Sequence, residues 1–176
     1  TALEQLRKLP DFLLYLLDAI NNNELTFRDR FNAASLMRHE LSNCATSLET
    51  SMTTKILKKQ LSAVLIPLLI SDNISDDISN EFTISIAALI AEAAYRFGMD
   101  IFPEDFDQTI MNLLAPTNSR TNIFTALNLI QDLLNNRHPL NPQIILCFTK
   151  FIGTDSDLTC KILEVCGLFA QNNCYE

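Results

Sequence analysis

Residues 26–41, TFRDRFNAASLMRHEL, place their polar and apolar side chains on opposite sides of a helix. Arg28, Asn32, Ser35, His39 and Ser42 follow one another at spacings of four, three, four and three, opposite Phe27, Phe31, Ala34 and Leu41. That is the 3.6-residue period of an amphipathic helix, and strand alternation cannot produce it over four turns. Thr26 with Asp29 three positions on is a relative of the capping box and marks the start of the helix.

Just before this stretch stands a second apolar run, LPDFLLYLLDAINNN at 9–23, and the pair recurs along the chain. LSAVLIPLLISDN (61–73) precedes NEFTISIAALIAEAAYRF (80–97), and PEDFDQTIMNLLAPT (103–117) precedes SRTNIFTALNLIQDLL (119–134). NPQIILCFTKFIG (141–153) then precedes DSDLTCKILEVCGLFAQ (155–171). A recurring two-helix unit is the signature of stacked repeats. The expected fold is all-α, a right-handed α-solenoid of about four HEAT-like hairpins. It forms one domain over 1–176, with repeats at roughly 10–43, 53–97, 103–137 and 141–173 and residues 1–9 as the tail of a preceding helix.

Second helices are expected to start near 27, 81, 121 and 157, capped by Thr26, Asn80, Ser119 and Thr154. The long first step points to an insert within Asn43 to Thr54. First helices are expected near Pro10, between Thr53 and Leu61, near Pro103 and near Pro142. Pro67, inside AVLIPLLI, should kink or interrupt its helix.

The polar stripe repeats with the helices. Glu81, Ser85, Ala88, Glu92 and Tyr95 or Arg96 match the first, as do Thr121, Thr125, Asn128, Asp132 and Asn135. In the last helix the stripe is Asp157, Lys161, Glu164 and Gln171, with Leu168 intruding. In a solenoid these stripes merge into a concave ridge, so the candidate partner-binding residues are Arg28, Asn32, His39, Glu81, Glu92, Arg96, Asn128, Asp132 and Lys161. The stretch Arg28-Asp29-Arg30 reads most simply as a solvated helix start, although arginines make good anchors in an interface.

Composition bounds the function. With 48% hydrophobic residues, 3 Gly and 6 Pro, the chain has a globular composition rather than a disordered or turn-rich one. The net charge is -8, and it is uneven: between Ser71 and Asp107 nine acids face Arg96 alone, while the remainder balances at twelve acids and twelve bases. An acidic flank repels phosphate backbones and steers basic proteins, so nucleic acid is disfavoured as a partner; a solvated acidic surface is the alternative. The apolar runs are too short or too interrupted to span a bilayer.

Nothing in the sequence assembles chemistry. His39 and His138 lie in different repeats, with no motif placing a nucleophile beside either. Three glycines, Gly98, Gly153 and Gly167, cannot build a phosphate-binding loop or a dinucleotide fingerprint. Asp76 with Asp77, and Glu104 with Asp105 and Asp107, lack the central glycine of a calcium loop, and the second group suits a helix start. Cys44, Cys147, Cys160, Cys166 and Cys174 contain no CxxC pair, so they read as reduced thiols of a cytoplasmic or nuclear protein. Asn73-Ile74-Ser75 is a chance sequon on this reading. A non-enzymatic chain without metal or cofactor is expected.

The order of the pieces resembles the amino-terminal HEAT repeats of the importin-β family of nuclear transport receptors. ALEQLRKLPDFLLYLLDAI (2–20) followed by FRDRFNAASLMRHEL (27–41) is similar to that family's A-x-x-x-L helix, proline-led apolar helix and R-x-x-A-A-x-x-L-K-N helix. KKQLSAVLIPLL (58–69) and IAALIAEAAYRFGMDIFPEDFDQTIMNLL (86–114) resemble the next repeats, where an alanine-rich helix meets a short aromatic-proline entry, and TALNLIQDLL (125–134) resembles the helix after. The chain departs from the pattern at Arg38-His39, where the family shows lysine and asparagine, at Phe106, which replaces a frequent tryptophan, and in its length. The resemblance implies binding of GTP-loaded Ran by the concave second helices, of phenylalanine-glycine nucleoporin repeats by outer grooves, and of basic cargo. A HEAT-type adaptor or regulatory scaffold in another pathway, and a domain resembling the middle domain of translation initiation scaffolds, are the alternatives.

Overall fold

The computed structural model describes residues 4–5, 7, 9, 11–43, 52–70 and 77–173. Pro10, most of the 43–54 insert, Cys44, Cys174, Asp72, Asp76 and the 73–75 sequon lie outside them, as does most of the expected 1–9 tail. The described residues contain eight α-helices and one 3-10 turn, with no strand among them: α1 (Phe12–Asn21), α2 (Phe27–Asn43), α3 (Met52–Ile70), α4 (Asp77–Phe97), the 3-10 turn Met99–Ile101, α5 (Phe106–Leu113), α6 (Arg120–Asn135), α7 (Ile144–Phe148) and α8 (Ser156–Asn173). The all-α class is as expected from the periodicity.

The helix starts show how local chemistry places the elements. At α2 the Asp29 N–H donates to Thr26 Oγ1 (3.2 Å) and the Thr26 hydroxyl donates to Asp29 Oδ2 (2.6 Å), the relative of the capping box expected from the sequence. At α6 Ser119 Oγ accepts from the Asn122 N–H at 3.2 Å. Two starts shift. α4 begins at Asp77, so Asn80 lies inside its first turn and is not a cap. At α8 Asp155 rather than Thr154 caps, because its Oδ1 accepts the N–H groups of Asp157 (2.9 Å) and Leu158 (3.0 Å), while the Thr154 hydroxyl donates back to Phe151 O.

Pro67 lies inside α3 without interrupting it. It sits within a turn of the helix end, where its missing N–H removes one hydrogen bond and few residues beyond it depend on the ladder. Gly98 ends α4 at φ +90, a left-handed conformation in which a side chain is strained, so glycine suits this exit.

Packing divides the chain into two compact units, Thr1–Ile101 and Phe102–Glu176. In the first, α1 packs on α2 and α3 on α4 as hairpins, while α1 also packs on α3 and α2 on α4. Leu17, Ile20, Met37, Leu41, Leu61, Leu65, Phe82 and Leu89 are sealed between them. In the second unit α5 packs on α6 and on α7, and α6 packs on α8. Ile110, Leu127, Ile130, Leu133, Phe148 and Val165 form its core, and the rings of Phe148 and Phe169 meet edge-on at 6.5 Å. In both units first helices lie against first helices and second against second, while the first helix packs on the second of its own pair at α1–α2, α3–α4 and α5–α6.

Candidate functional site

The candidate faces are the outward sides of the second helices. In the first unit these are α2 and α4, joined by the rings of Phe27 in the first turn of α2 and Phe82 in the second turn of α4, 5.9 Å apart and tilted by 54°. Arg28, Asn32, Ser35, His39 and Ser42 are all exposed on α2, whereas Ala33, Ala34, Met37 and Leu41 are buried. On α4 Glu81 is exposed and Glu92 and Arg96 are half-buried, together with Ser85 and Ala88. Ile84 (43%) and Tyr95 (61%) interleave with them as large exposed apolar side chains. The polar periodicity therefore marked the open sides of both helices. Among the described residues the side chains of Arg28, Glu81, Glu92 and Arg96 make no hydrogen bond or ion pair.

Arg30 corrects the reading of a solvated helix start. It is 6% exposed; its Nε donates to Ile20 O at the end of α1 (2.8 Å), and its Cζ lies 4.7 Å from the centroid of Phe82 and 5.5 Å from that of Phe27. Burial lowers its pKa, and Nη2 is left without a partner. The signal was present in the spacing, since Arg30 falls three and four residues before Ala33 and Ala34 and so belongs to the buried row. Charge alone argued for the surface, but a guanidinium can lie flat over aromatic faces and satisfy a helix C-terminal carbonyl.

The face of α6 and α8 in the second unit is more self-contained. Arg120 bridges Asp155 (3.0 Å) and Asp157 (3.2 Å) across the starts of the two helices, stacked 4.8 Å over the Phe124 ring. The hydrogen bond to Asp155 raises the Arg120 pKa, and the same bond holds the Asp155 carboxyl below its ordinary value. Lys161 Nζ donates to Gln131 Oε1 and stands 3.8 Å from Glu164, and Asn172 Nδ2 donates to Leu134 O (2.9 Å). Asn128 and Asp132 are half-buried. Thr125, expected on the polar stripe, is instead 1% exposed. Threonine is compact enough to enter a packed helix row, and the pattern alone cannot separate it from an exposed one.

Among the described residues no group of three His, Cys, Asp or Glu is placed to hold a metal ion. Asp107 Oδ2 accepts the Asn141 N–H (3.1 Å), and Glu104 and Asp105 are exposed ahead of α5. His39 is exposed with Asn43 Nδ2 beside its ring, while His138 closes the end of α6 through its N–H to Leu133 O (3.0 Å) and buries an unpartnered Nε2. Cys147 and Cys166 are half-buried and Cys160 exposed, all free thiols, and burial raises the Cys166 pKa. No helix among the described residues is long and apolar enough to cross a membrane. Comparison with protein-family models, with curated proteins and with solved structures returns no significant match.

Proposed function

We propose that this chain is a non-enzymatic helical-repeat scaffold whose second helices hold another protein. The observation that carries the reading is the open α2–α4 face, where five polar residues of α2 and an acidic-apolar row of α4 face outward from a fully packed core. The packing of first helices on first and second on second in each unit supports a HEAT-type stack, and its continuation into one right-handed solenoid with a concave ridge belongs to the same proposal. The resemblance in residues 2–134 makes an importin-β-like transport receptor the specific form of it, working in cytoplasm or nucleus and contacting Ran-GTP, nucleoporins or basic cargo.

A pull-down with Ran locked in its GTP state tests that form. Retention by the folded chain supports it, and no retention by a chain with native helicity sinks it, leaving a scaffold of another pathway. The scaffold reading has its own check in Arg28→Glu with Glu92→Lys, which weakens capture of whichever protein the chain retains while helicity and melting temperature stay nearly unchanged. A large loss of stability instead shows that the stripe is packed.

A further inference from the structure

We propose that the outward face of α3 docks a short acidic and apolar segment of a partner protein, with its carboxylates on Lys55 and Lys59 and its apolar side chains toward Ala63 and Ile70. This surface lies on a first helix and shares no residue with the α2–α4 face, so it goes beyond the scaffold reading and is tested apart from it.

Residues 50–71 carry Lys55, Lys58 and Lys59 and no acid, the reverse of a chain whose net charge is -8. All three lysines fall in the first two turns of α3. That placement works against the helix. Lys55 stands in a first turn that holds no acid, at the end where the helix dipole favours anions. Lys55 also meets Lys58 and Lys59 at three and four residues, and like charges at those spacings destabilise a helix. Packing offsets part of this only at Lys58, whose Nζ lies 5.1 Å from the centroid of the Phe97 ring. Lys55 and Lys59 are exposed, and their side chains make no hydrogen bond or ion pair among the described residues. A local conflict that the fold leaves standing marks a functional surface. An anion seated between the two ammonium groups relieves the dipole and the like-charge repulsion together.

The rest of the face selects among anions. Lys55, Lys59, Ala63 and Ile70 follow at steps of four, four and seven, a single exposed stripe that is basic at its start and apolar at its end. Ile56 (37%) stands beside the lysines and Ile70 is 51% exposed. A nucleic-acid strand or an anionic membrane carries its charge onward from the lysines over apolar side chains, in a unit whose α4 also exposes Glu81. A short acidic segment with apolar neighbours matches both halves of the stripe. Lys55 and Lys59 are about 6 Å apart along the axis. Carboxylates two residues apart in an extended segment or four apart in a helical one span about that distance, so the side chains and not the backbone form define the partner.

The test uses the full chain and fluorescence anisotropy with short labelled peptides at low and high salt. One peptide joins a run of glutamates to a run of leucines, a second has serines in place of the leucines, and a third has lysines in place of the glutamates. The first is expected to bind most tightly and to weaken as salt rises. Lys55→Gln with Lys59→Gln lowers that affinity roughly tenfold, Lys55→Arg with Lys59→Arg retains it, and Arg28→Glu with Glu92→Lys leaves it unchanged. Because the glutamine variant removes like-charge repulsion, it is expected to melt at or above the temperature of the native chain. Undiminished binding by the glutamine variant, equal binding of the leucine and serine peptides, or preference for the lysine peptide overturns the proposal. So does a single-stranded oligonucleotide or a phosphatidylserine vesicle that binds through the same two lysines as tightly as the first peptide. A glutamine variant that melts lower overturns it as well, since the lysines then serve the fold. Failure of every peptide to bind overturns it and leaves the scaffold reading to its own capture test.

Discussion

Arg30 is the residue where side-chain chemistry most clearly outweighs type. Its guanidinium ties the Ile20 carbonyl at the end of α1 to the aromatic pair between α2 and α4, at the expense of one buried nitrogen left without a partner. Arg30→Ala removes a charged hydrogen bond and a cation–π contact, and is expected to cost about 2 kcal/mol, read from urea unfolding. Arg30→Met keeps the volume over Phe82 and relieves the desolvated charge, so it should recover about half of that loss. An unchanged midpoint in Arg30→Ala would show that the arginine is solvated after all. His138 makes the complementary case for pH. Burial lowers its pKa below the ordinary 6.5, so the folded chain binds this proton less readily than the unfolded chain. The neutral ring's contribution is complete above about pH 6.5 and is lost as pH falls from there toward the depressed folded value. Unfolding midpoints measured between about pH 7.5 and 5.5 should therefore drop more for the native chain than for His138→Asn. Equal drops would place the ring in water. Asp155 acts in a separate, lower window, because its depressed carboxyl pKa favours the fold above the ordinary value and the contribution fades only in stronger acid.

At the scale of elements, what could be read in advance was period and punctuation. The alternation from Arg28 to Ser42 located the open side of α2 residue by residue, and the Thr26 and Ser119 caps stand where the sequence puts them. Neighbouring candidates for the same role were not separable. Thr154 and Asp155 are adjacent and both cap well, and in the structure the Thr154 hydroxyl is spent on Phe151 O while Asp155 takes the N–H groups of the helix start. Nor does the pattern tell whether a polar stripe faces water or another helix. Asn128, Asp132 and Lys161 keep the period, yet Thr125 within it is sealed and Lys161 is held by Gln131. Gly167 illustrates a different kind of freedom. It sits inside α8, exposed, and a Cβ there would meet nothing within 4 Å. Without steric need for glycine, Gly167→Ala is expected to stabilise the chain by about 0.5 to 1 kcal/mol through lost entropy in the unfolded state. Thermal unfolding checks it, and a destabilised alanine variant would mean that something packs closely against that face.

At the scale of the whole molecule, the two packed units decide how damage spreads. Leu89 and Leu127 are both fully buried, the first in the core of Thr1–Ile101 and the second in that of Phe102–Glu176. Truncating either to alanine removes buried methylenes and leaves a cavity, so each variant is expected to lose about 2 to 5 kcal/mol. With each core packed inside its own unit, the loss is felt first by the elements that share the damaged core. Hydrogen exchange on Leu127→Ala should show the amides of α6 and α8 losing protection first, with those of α2 and α4 changing less. Leu89→Ala should reverse the order. Uniform loss along both units in each variant would mean that the chain unfolds as one cooperative block. That outcome bears directly on the scaffold proposal, because an α2–α4 face that keeps its protection in Leu127→Ala should keep the capture of a protein that uses it. Measuring capture in the two variants beside their exchange profiles therefore separates loss of the face from loss of the fold.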